Sequence, residues 1–266
     1  MTQYQTLEIE RHPAGYVTLW LNRPTTYNAF DGAMIAELNG VLRELAHDEA
    51  TRFLLLRGRG KHFSSGADLN WMRESATLDY AANLRDAHEL GEMMERLYRL
   101  PMPTLAVVQG AAFGGAVGLV SCCDMAVGCE DAVFSLSEVR IGLAPAVISP
   151  YIVRAIGERA ARRFTLSAER FDGQRAETLG LLAESCPTVE LDACVQRWVD
   201  GLLRNGPQAM RAAKTLLLDV GEAAIGPALR QRTESTIAAL RVSDEGQEGL
   251  AAFLGKRTPS WQGGGA

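Results

Sequence analysis

Lysine is almost missing from this chain: Lys61, Lys214 and Lys256 stand against 24 arginines, within a net charge of −5. That balance argues against a nucleic-acid surface, which needs a basic face to neutralise phosphates. Neither GxxxxGK[ST] nor GxGxxG is present, so a phosphate loop has no sequence support. No apolar run approaches the ~20 residues that cross a bilayer, and the opening MTQYQTLEIERH has no apolar stretch of the signal-peptide kind. Cysteine is sparse and odd in number (Cys122, Cys123, Cys129, Cys186, Cys194), without zinc spacing. The thiols read as free and buried, which suits a reducing cytoplasm. Four histidines (His12, His47, His62, His88) show no paired spacing, so no metal site is expected. GxSxG is absent, and nothing orders Ser, His and Asp as a hydrolase triad. There is no internal repeat or low-complexity linker, and the closing GGGA reads as a frayed tail.

What is present is an ordinary globular composition over 266 residues, 47% apolar, enough for one large domain or a domain with a helical extension. LEIERH and GYVTLWLN alternate as two strands joined by a Pro-Ala-Gly turn, a hairpin pattern. After Pro24, residues 34, 35, 38, 41, 42 and 45 are apolar at helical spacing, with Asp31 placed to cap. FLLLRG and TLAVVQG are short buried strands, the second followed directly by a helix that starts at the Gly114-Gly115 pair. DMAVGC and AVFSLSE read as strands again, and a long helix fills about 80–100. This alternation predicts an α/β core with some parallel strands. From about 149 onward helical patterns dominate, broken only by a short strand in GLLAESC.

Two loops share a design. Ser64-Ser65-Gly66-Ala67-Asp68 and Gly114-Gly115 each follow a buried strand and open a helix. The first N–H groups of a helix have no intrahelical partner, and small residues let a ligand oxygen approach them. Two such turns facing one another would offer two donors to one oxygen, as an oxyanion hole does. Taken singly, each turn is better explained by close packing of a helix on a sheet. Glu138, in FSLSEVRIGLAP, stands where a strand pattern ends, a common place for an acid–base group. On its own it reads as an exposed surface glutamate.

Taken together, these segments resemble the crotonase (enoyl-CoA hydratase/isomerase) superfamily over nearly the whole length. The resemblance is carried by LNRPTTYNAF, HFSSGADL, LPMPTLAVVQGAAFGGAVGLVSCCDMAVG, FSLSEVRIGLAP, AIGERAARRFTLSAERFDGQRAETLGLL and EGQEGLAAFLGKRTPSW. It implies an α/β fold, a ClpP/crotonase-like spiral of ββα units over residues 1–195, with a helical oligomerisation region over 196–266. It implies a homotrimer or a dimer of trimers, and a coenzyme A thioester as substrate, with no prosthetic group and no metal. The thioester carbonyl would be held by the N–H groups of Ala67 and Gly115. The coenzyme path would follow Thr25, Tyr27, Ala29, Gly114 and Ser65, Gly66, Ala67, Asp68 and Leu69. Phe253 and Lys256 match positions that reach the coenzyme of a neighbouring subunit.

Two departures matter. Thr25 stands where relatives often carry lysine, which removes a phosphate contact. Well-known hydratases of the superfamily carry two glutamates; Glu138 matches the second, while the first aligns with Gly118. Position 118 lies three residues past Gly115, on the same helix face. A single carboxylate suits the superfamily's isomerases, which move a proton between C2 and C4. It also suits hydration if its two oxygens hold and relay one water. GADLNWMR and SLSEVRIGLAPAVISPYIVRAIGERAARR are most similar to a bacterial subgroup that hydrates 3-methylglutaconyl-CoA or isohexenylglutaconyl-CoA, in leucine or acyclic terpene breakdown. The expectation is therefore a glutaconyl-type hydratase whose substrate carboxylate fills space freed by Gly118, near Arg140, Arg154 or His88. Trp71–Arg73 and Pro145–Pro150 would shape the pocket mouth. An isomerase and a non-catalytic acyl-CoA-binding homologue are the alternatives.

Overall fold

The computed structural model describes residues 4–262; the GGGA tail lies outside them. The expected hairpin forms from β1 (Leu7–Arg11) and β2 (Val17–Leu21), antiparallel with Leu7 opposite Leu21. The chain then runs through α1 (Gly32–Ala46), β3 (Leu54–Gly58), α2 (Leu69–Ser75), α3 (Tyr80–Tyr98), β4 (Thr104–Val108), β5 (Ala111–Phe113), α4 (Gly115–Cys122), β6 (Met125–Cys129) and β7 (Val133–Ser135). After these come α5 (Ser149–Ser167), β8 (Phe171–Asp172), α6 (Gly173–Thr178), β9 (Glu184–Cys186), α7 (Leu191–Leu203), α8 (Pro207–Glu222), α9 (Pro227–Val242) and α10 (Asp244–Leu254).

Six strands make one sheet in the order β1-β2-β3-β4-β6-β9, parallel from β2 onward. Strands of a parallel sheet are covered on both faces and so read as continuous apolar runs. That is why TLAVV is buried at every position. Three further strands form a second sheet in the order β5-β7-β8. The Gly114 helix therefore does not follow TLAVVQG directly as expected: the three-residue strand β5 intervenes and pairs in parallel with β7. AVFSLSE is strand only over Val133–Ser135, and Glu138 opens a 3-10 turn, Glu138–Ile141, instead of ending a strand. The helix α5 is interrupted at Gly157, whose φ of 76° and ψ of 156° are not helical.

The helices α1, α2, α3, α6 and α10 begin at a short polar side chain that takes up a free N–H group. Asp31 Oδ1 accepts from Met34 N at 2.8 Å, and Asp68 Oδ1 accepts from Asn70 N at 2.8 Å. One guanidinium joins these two caps: Arg23 Nη2 lies 3.0 Å from Asp31 Oδ2 and 3.0 Å from Asp68 Oδ2. The boundary between residues 195 and 196 falls inside α7. α8 is tied to the sheet by Lys214, which lies 2.8 Å from Asp124 Oδ2 and donates to the Met102 carbonyl at 3.1 Å. Asp124 Oδ2 also accepts from Thr104 N at 2.8 Å and Thr104 Oγ1 at 3.0 Å. The five cysteines are free thiols, and burial pushes Cys122 well above its ordinary value, so it is inert rather than nucleophilic. Among the described residues, no helix is long and apolar enough to cross a membrane, and no group of His, Cys, Asp and Glu is arranged to hold a metal.

Candidate active site

The first loop is built on Asn28. Its backbone is left-handed (φ 55°), its side chain is fully buried, and its amide donates to the carbonyls of Arg59, His62 and Phe63 at 2.8, 2.9 and 3.1 Å. This fixes the turn after β3 against the segment after β2. His62 serves the same turn, its Nδ1 accepting from Ala111 N at 3.0 Å. The chain then continues beside Phe30: Phe30 N donates to Gly66 O at 2.7 Å and Asp68 N donates to Phe30 O at 2.8 Å. In a parallel bridge of this kind, the residue between the two bonded neighbours turns its own N–H to the other side. That residue is Ala67, and its N–H has no acceptor among the described residues.

The second loop closes on the first through glycines. Gly66 has φ +91°, and a methyl group there would lie 2.8 Å from the Phe113 carbonyl oxygen. Gly114 has φ 52° and ψ −119°, a conformation open to glycine alone. It turns the chain from β5 into α4 while its N–H donates to Ser135 O at 2.9 Å. Gly115, the first residue of α4, likewise has no acceptor for its N–H among the described residues. The two donors expected from the sequence, Ala67 and Gly115, thus line one cavity of about 390 Å³.

Glu138 reaches the same cavity. Its Oε1 lies 2.9 Å from where a Gly114 Cβ would stand, and its buried Oε2 has no hydrogen-bond partner among the described residues. Burial pushes its carboxyl above the ordinary value, and its own backbone N–H offsets this only in part. A desolvated carboxylate in one cavity with two backbone N–H donors is an arrangement suited to general acid–base chemistry next to a polarised carbonyl.

Ser65, Gly66, Leu69 and Gly114 line the cavity as expected. Thr25 and Tyr27 are exposed and Ala29 is buried; this segment flanks the site, with Tyr27 O accepting from Ser65 N at 2.9 Å. Asp68 faces away, occupied by the α2 cap and Arg23. Burial raises its carboxyl, but the Asn70 N–H and the Arg23 guanidinium together bring it below its ordinary value. Phe253 and Lys256 are exposed at the end of α10 and do not line this chain's cavity. Of the three cations expected near the acyl group, only Arg140 is there. Arg154 lies by Tyr98, its guanidinium 6.0 Å from that ring, and His88 is exposed on α3 beside Glu92. Met72 borders the cavity, whereas Trp71 faces a neighbouring cleft with Arg23.

The space expected at Gly118 is filled. A methyl group built on Gly118 would lie 2.3 Å from Ile148 Cγ2, 2.8 Å from Ile148 Cβ and 3.2 Å from Met94 Cε. The missing glutamate has left no room for a substrate carboxylate, because an isoleucine thirty residues further on takes its place. Sequence reading also passed over Arg170, which lines the cavity with its guanidinium 5.4 Å from the Phe113 ring. Arg170 is brought there by the left-handed turn at Ala168, whose carbonyl accepts from Arg140 Nη2 at 2.8 Å. Neither arginine forms an ion pair among the described residues. Its signal was an arginine just ahead of the two-residue strand β8, too short to recognise by period.

Comparison with known proteins agrees with this fold. An enoyl-CoA hydratase from Shewanella pealeana is 47% identical, with a TM-score of 0.92 and 97% of each chain covered. AtuE of Pseudomonas aeruginosa is 36% identical, with a TM-score of 0.93 over 97% of this chain and 100% of that one. The 2,3-dehydroadipyl-CoA hydratase of Escherichia coli is 33% identical over 247 residues, 92% of this chain and 94% of that protein. The enoyl-CoA hydratase/isomerase family model matches residues 11–264. With its ββα core, its paired N–H donors and Glu138, the chain belongs to the enoyl-CoA hydratase/isomerase family and has the crotonase fold.

Proposed function

We propose that this chain is an enoyl-CoA hydratase acting on a branched glutaconyl-CoA thioester, such as 3-methylglutaconyl-CoA or isohexenylglutaconyl-CoA. The observation that carries the reading is the placement of Glu138 over Gly114, in one cavity with the Ala67 and Gly115 N–H groups and two arginines without ion-pair partners. As water adds across Cα=Cβ, negative charge builds on the thioester oxygen, and each N–H donor lowers the barrier by about 3 kcal/mol. Glu138 takes a proton from the water whose oxygen bonds to Cβ, and Cα gains a proton from the same carboxyl. Its raised pKa favours the returning step, and its lack of a partner leaves an oxygen for the water. Arg140 and Arg170 suit the carboxylate that ends such a substrate. The Escherichia coli relative supports this, since a dehydroadipyl group also ends in a carboxylate.

The helices from residue 196 onward would build a trimer or a dimer of trimers in the cytoplasm. Exposed apolar side chains on them, Leu217, Ile237 and Phe253 among them, support this reading. In such an assembly Phe253 and Lys256 would approach a neighbour's coenzyme, and Thr25 and Tyr27 would border the coenzyme of their own chain.

A second reading, a Δ3,Δ2-enoyl-CoA isomerase, is favoured by the apolar Ile148 where a second carboxylate would stand. Purified protein offered 3-methylglutaconyl-CoA, isohexenylglutaconyl-CoA and a 3-enoyl-CoA separates the two. Loss of conjugated thioester absorbance with the glutaconyl substrates supports hydration. Its appearance from the 3-enoyl substrate alone supports isomerisation. Binding without turnover of any of the three would refute both and leave an acyl-CoA-binding role.

A further inference from the structure

Beside Glu138 the cavity carries a second buried polar group that no contact within the protein uses. Ser135 lies in β7, opposite Phe113 of β5, and its carbonyl accepts from Gly114 N at 2.9 Å. Side chains alternate across a strand. Phe134 stacks on Phe171, with ring centres 5.4 Å apart, so Ser135 turns the other way, into the cavity. Ser135 is 3% exposed, and its hydroxyl has no hydrogen-bond partner among the described residues. Nor is that hydroxyl fully enclosed, so the little surface that Ser135 keeps includes it and faces the cavity. The other serines of the cavity differ: Ser65 donates to the Thr26 carbonyl at 3.5 Å, and Ser137 is only half-buried. Glu138 approaches the same glycine, its Oε1 2.9 Å from where a Gly114 Cβ would stand. Ser135 and Glu138 thus both border Gly114, the residue just before the Gly115 donor.

A buried hydroxyl without a partner costs stability, and few are kept in folded proteins without a use. Water that adds across a double bond has to be held as well as deprotonated, and an ordered water takes roughly two to four polar partners. Glu138 alone leaves that water free to pivot, and the place of a second carboxylate is apolar, Gly118 lying under Ile148 and Met94. We infer that Ser135 is a positioning residue, its hydroxyl holding the attacking water against Glu138 where other hydratases would use a second carboxylate. The inference rests on the hydratase reading. One O–H of the water gives its proton to Glu138 as the water oxygen bonds to Cβ and the π electrons move toward Cα. The other O–H donates to Ser135 Oγ, stays intact and becomes the β-hydroxyl of the product. Glu138 returns its proton to Cα, and Ser135 neither gains nor loses one.

Steady-state hydration by the full-length protein tests this, using whichever of 3-methylglutaconyl-CoA, isohexenylglutaconyl-CoA and crotonyl-CoA the wild type turns over fastest. Ser135→Ala is expected to lower kcat about tenfold, through loss of one hydrogen bond to the reacting water. The calorimetric Kd for butyryl-CoA, a saturated thioester that takes up no water, is expected to stay within about twofold. Tm should not fall, because the variant removes an unpaired buried hydroxyl. A purely structural role would reverse this pattern, with a lower Tm and an unchanged kcat. The pH dependence of kcat should keep its inflection while the plateau drops. A shifted inflection would mean that Ser135 bonds Glu138 itself, and would overturn its role in holding water. Ser135→Cys offers only a weak acceptor; it is expected to lose kcat in the same way, and it decides the matter if the alanine variant does not fold. A kcat within about twofold of wild type in the folded variants overturns the inference and leaves the hydratase reading standing. A wild type that hydrates none of the three substrates refutes that reading, and the inference with it.

Discussion

Gly114→Ala is expected to lower both stability and turnover, each for its own reason. At φ 52° and ψ −119° an alanine is strained, at a cost of about 1–3 kcal/mol. For a chain of this size that corresponds to a Tm lower by roughly 3–10 °C. The new methyl group would also lie 2.9 Å from Glu138 Oε1. The carboxylate is the tip of a flexible side chain, so it yields by roughly 0.5 Å to restore ordinary contact, at little cost in stability. The cost falls on the chemistry, where a misplacement of about 1 Å is worth up to ~100-fold in rate. A loss in kcat of about tenfold is expected, about 1.4 kcal/mol in the barrier. KM should change little, because the loop carrying Ser65 to Leu69 is untouched. The assay is enoyl-CoA hydration followed by thioester absorbance, with thermal melts alongside. A kcat within twofold of wild type would refute the placement of the carboxylate over Gly114.

Other expectations follow from single groups. Glu138→Gln should abolish turnover, yet melt no lower than wild type at pH 8. The folded-state pKa of Glu138 lies above the ordinary 4.5, so its contribution favours the fold below that value and is lost as pH rises through the raised pKa. The advantage of the glutamine variant should therefore shrink toward pH 4, and a lower melt at pH 8 would contradict the desolvated carboxylate. Lys214→Met removes the cation beside Asp124, and urea unfolding should show a loss of about 3 kcal/mol. A loss under ~1 kcal/mol would mean that the Thr104 bonds suffice for Asp124. Arg140→Ala combined with Arg170→Ala should lower kcat/KM for a glutaconyl-CoA about 30-fold, worth about 2 kcal/mol. Crotonyl-CoA hydration should change by less than about threefold; equal losses on the two substrates would remove the arginines from carboxylate recognition.

Much of this fold is legible from local patterns. The hairpin alternates, β3 and β4 are built on the apolar runs 53–56 and 105–108, and α1 carries both its period and its Asp31 cap, because each is decided by neighbouring residues. β5 and β8 escaped because three and two residues hold no period; they are strands only through pairing with β7. The donors at Ala67 and Gly115 could be anticipated from small residues at two strand-to-helix turns, joined by the family resemblance. The filling of Gly118 could not, since it depends on the rotamer of Ile148 and on how α5 starts over α4. Arg170 likewise acquires meaning only once the turn at Ala168 carries it back to the cavity.

The guanidinium of Arg23 has a mechanical consequence. It grips the carboxylates that begin α1 and α2 at once, so the first turn of α2 is pinned to the body of the protein. The far end of α2 is held more lightly, by the Asn83 side-chain amide of α3 donating to the Ser75 carbonyl at 3.2 Å, and none of its residues is buried. Any adjustment of α2 to an incoming acyl group is thereby restricted to a swing about its start. Met72, one turn from the pivot, would sweep a short arc across the cavity, while Ala67 and its donor, immediately before the pivot, would hold still.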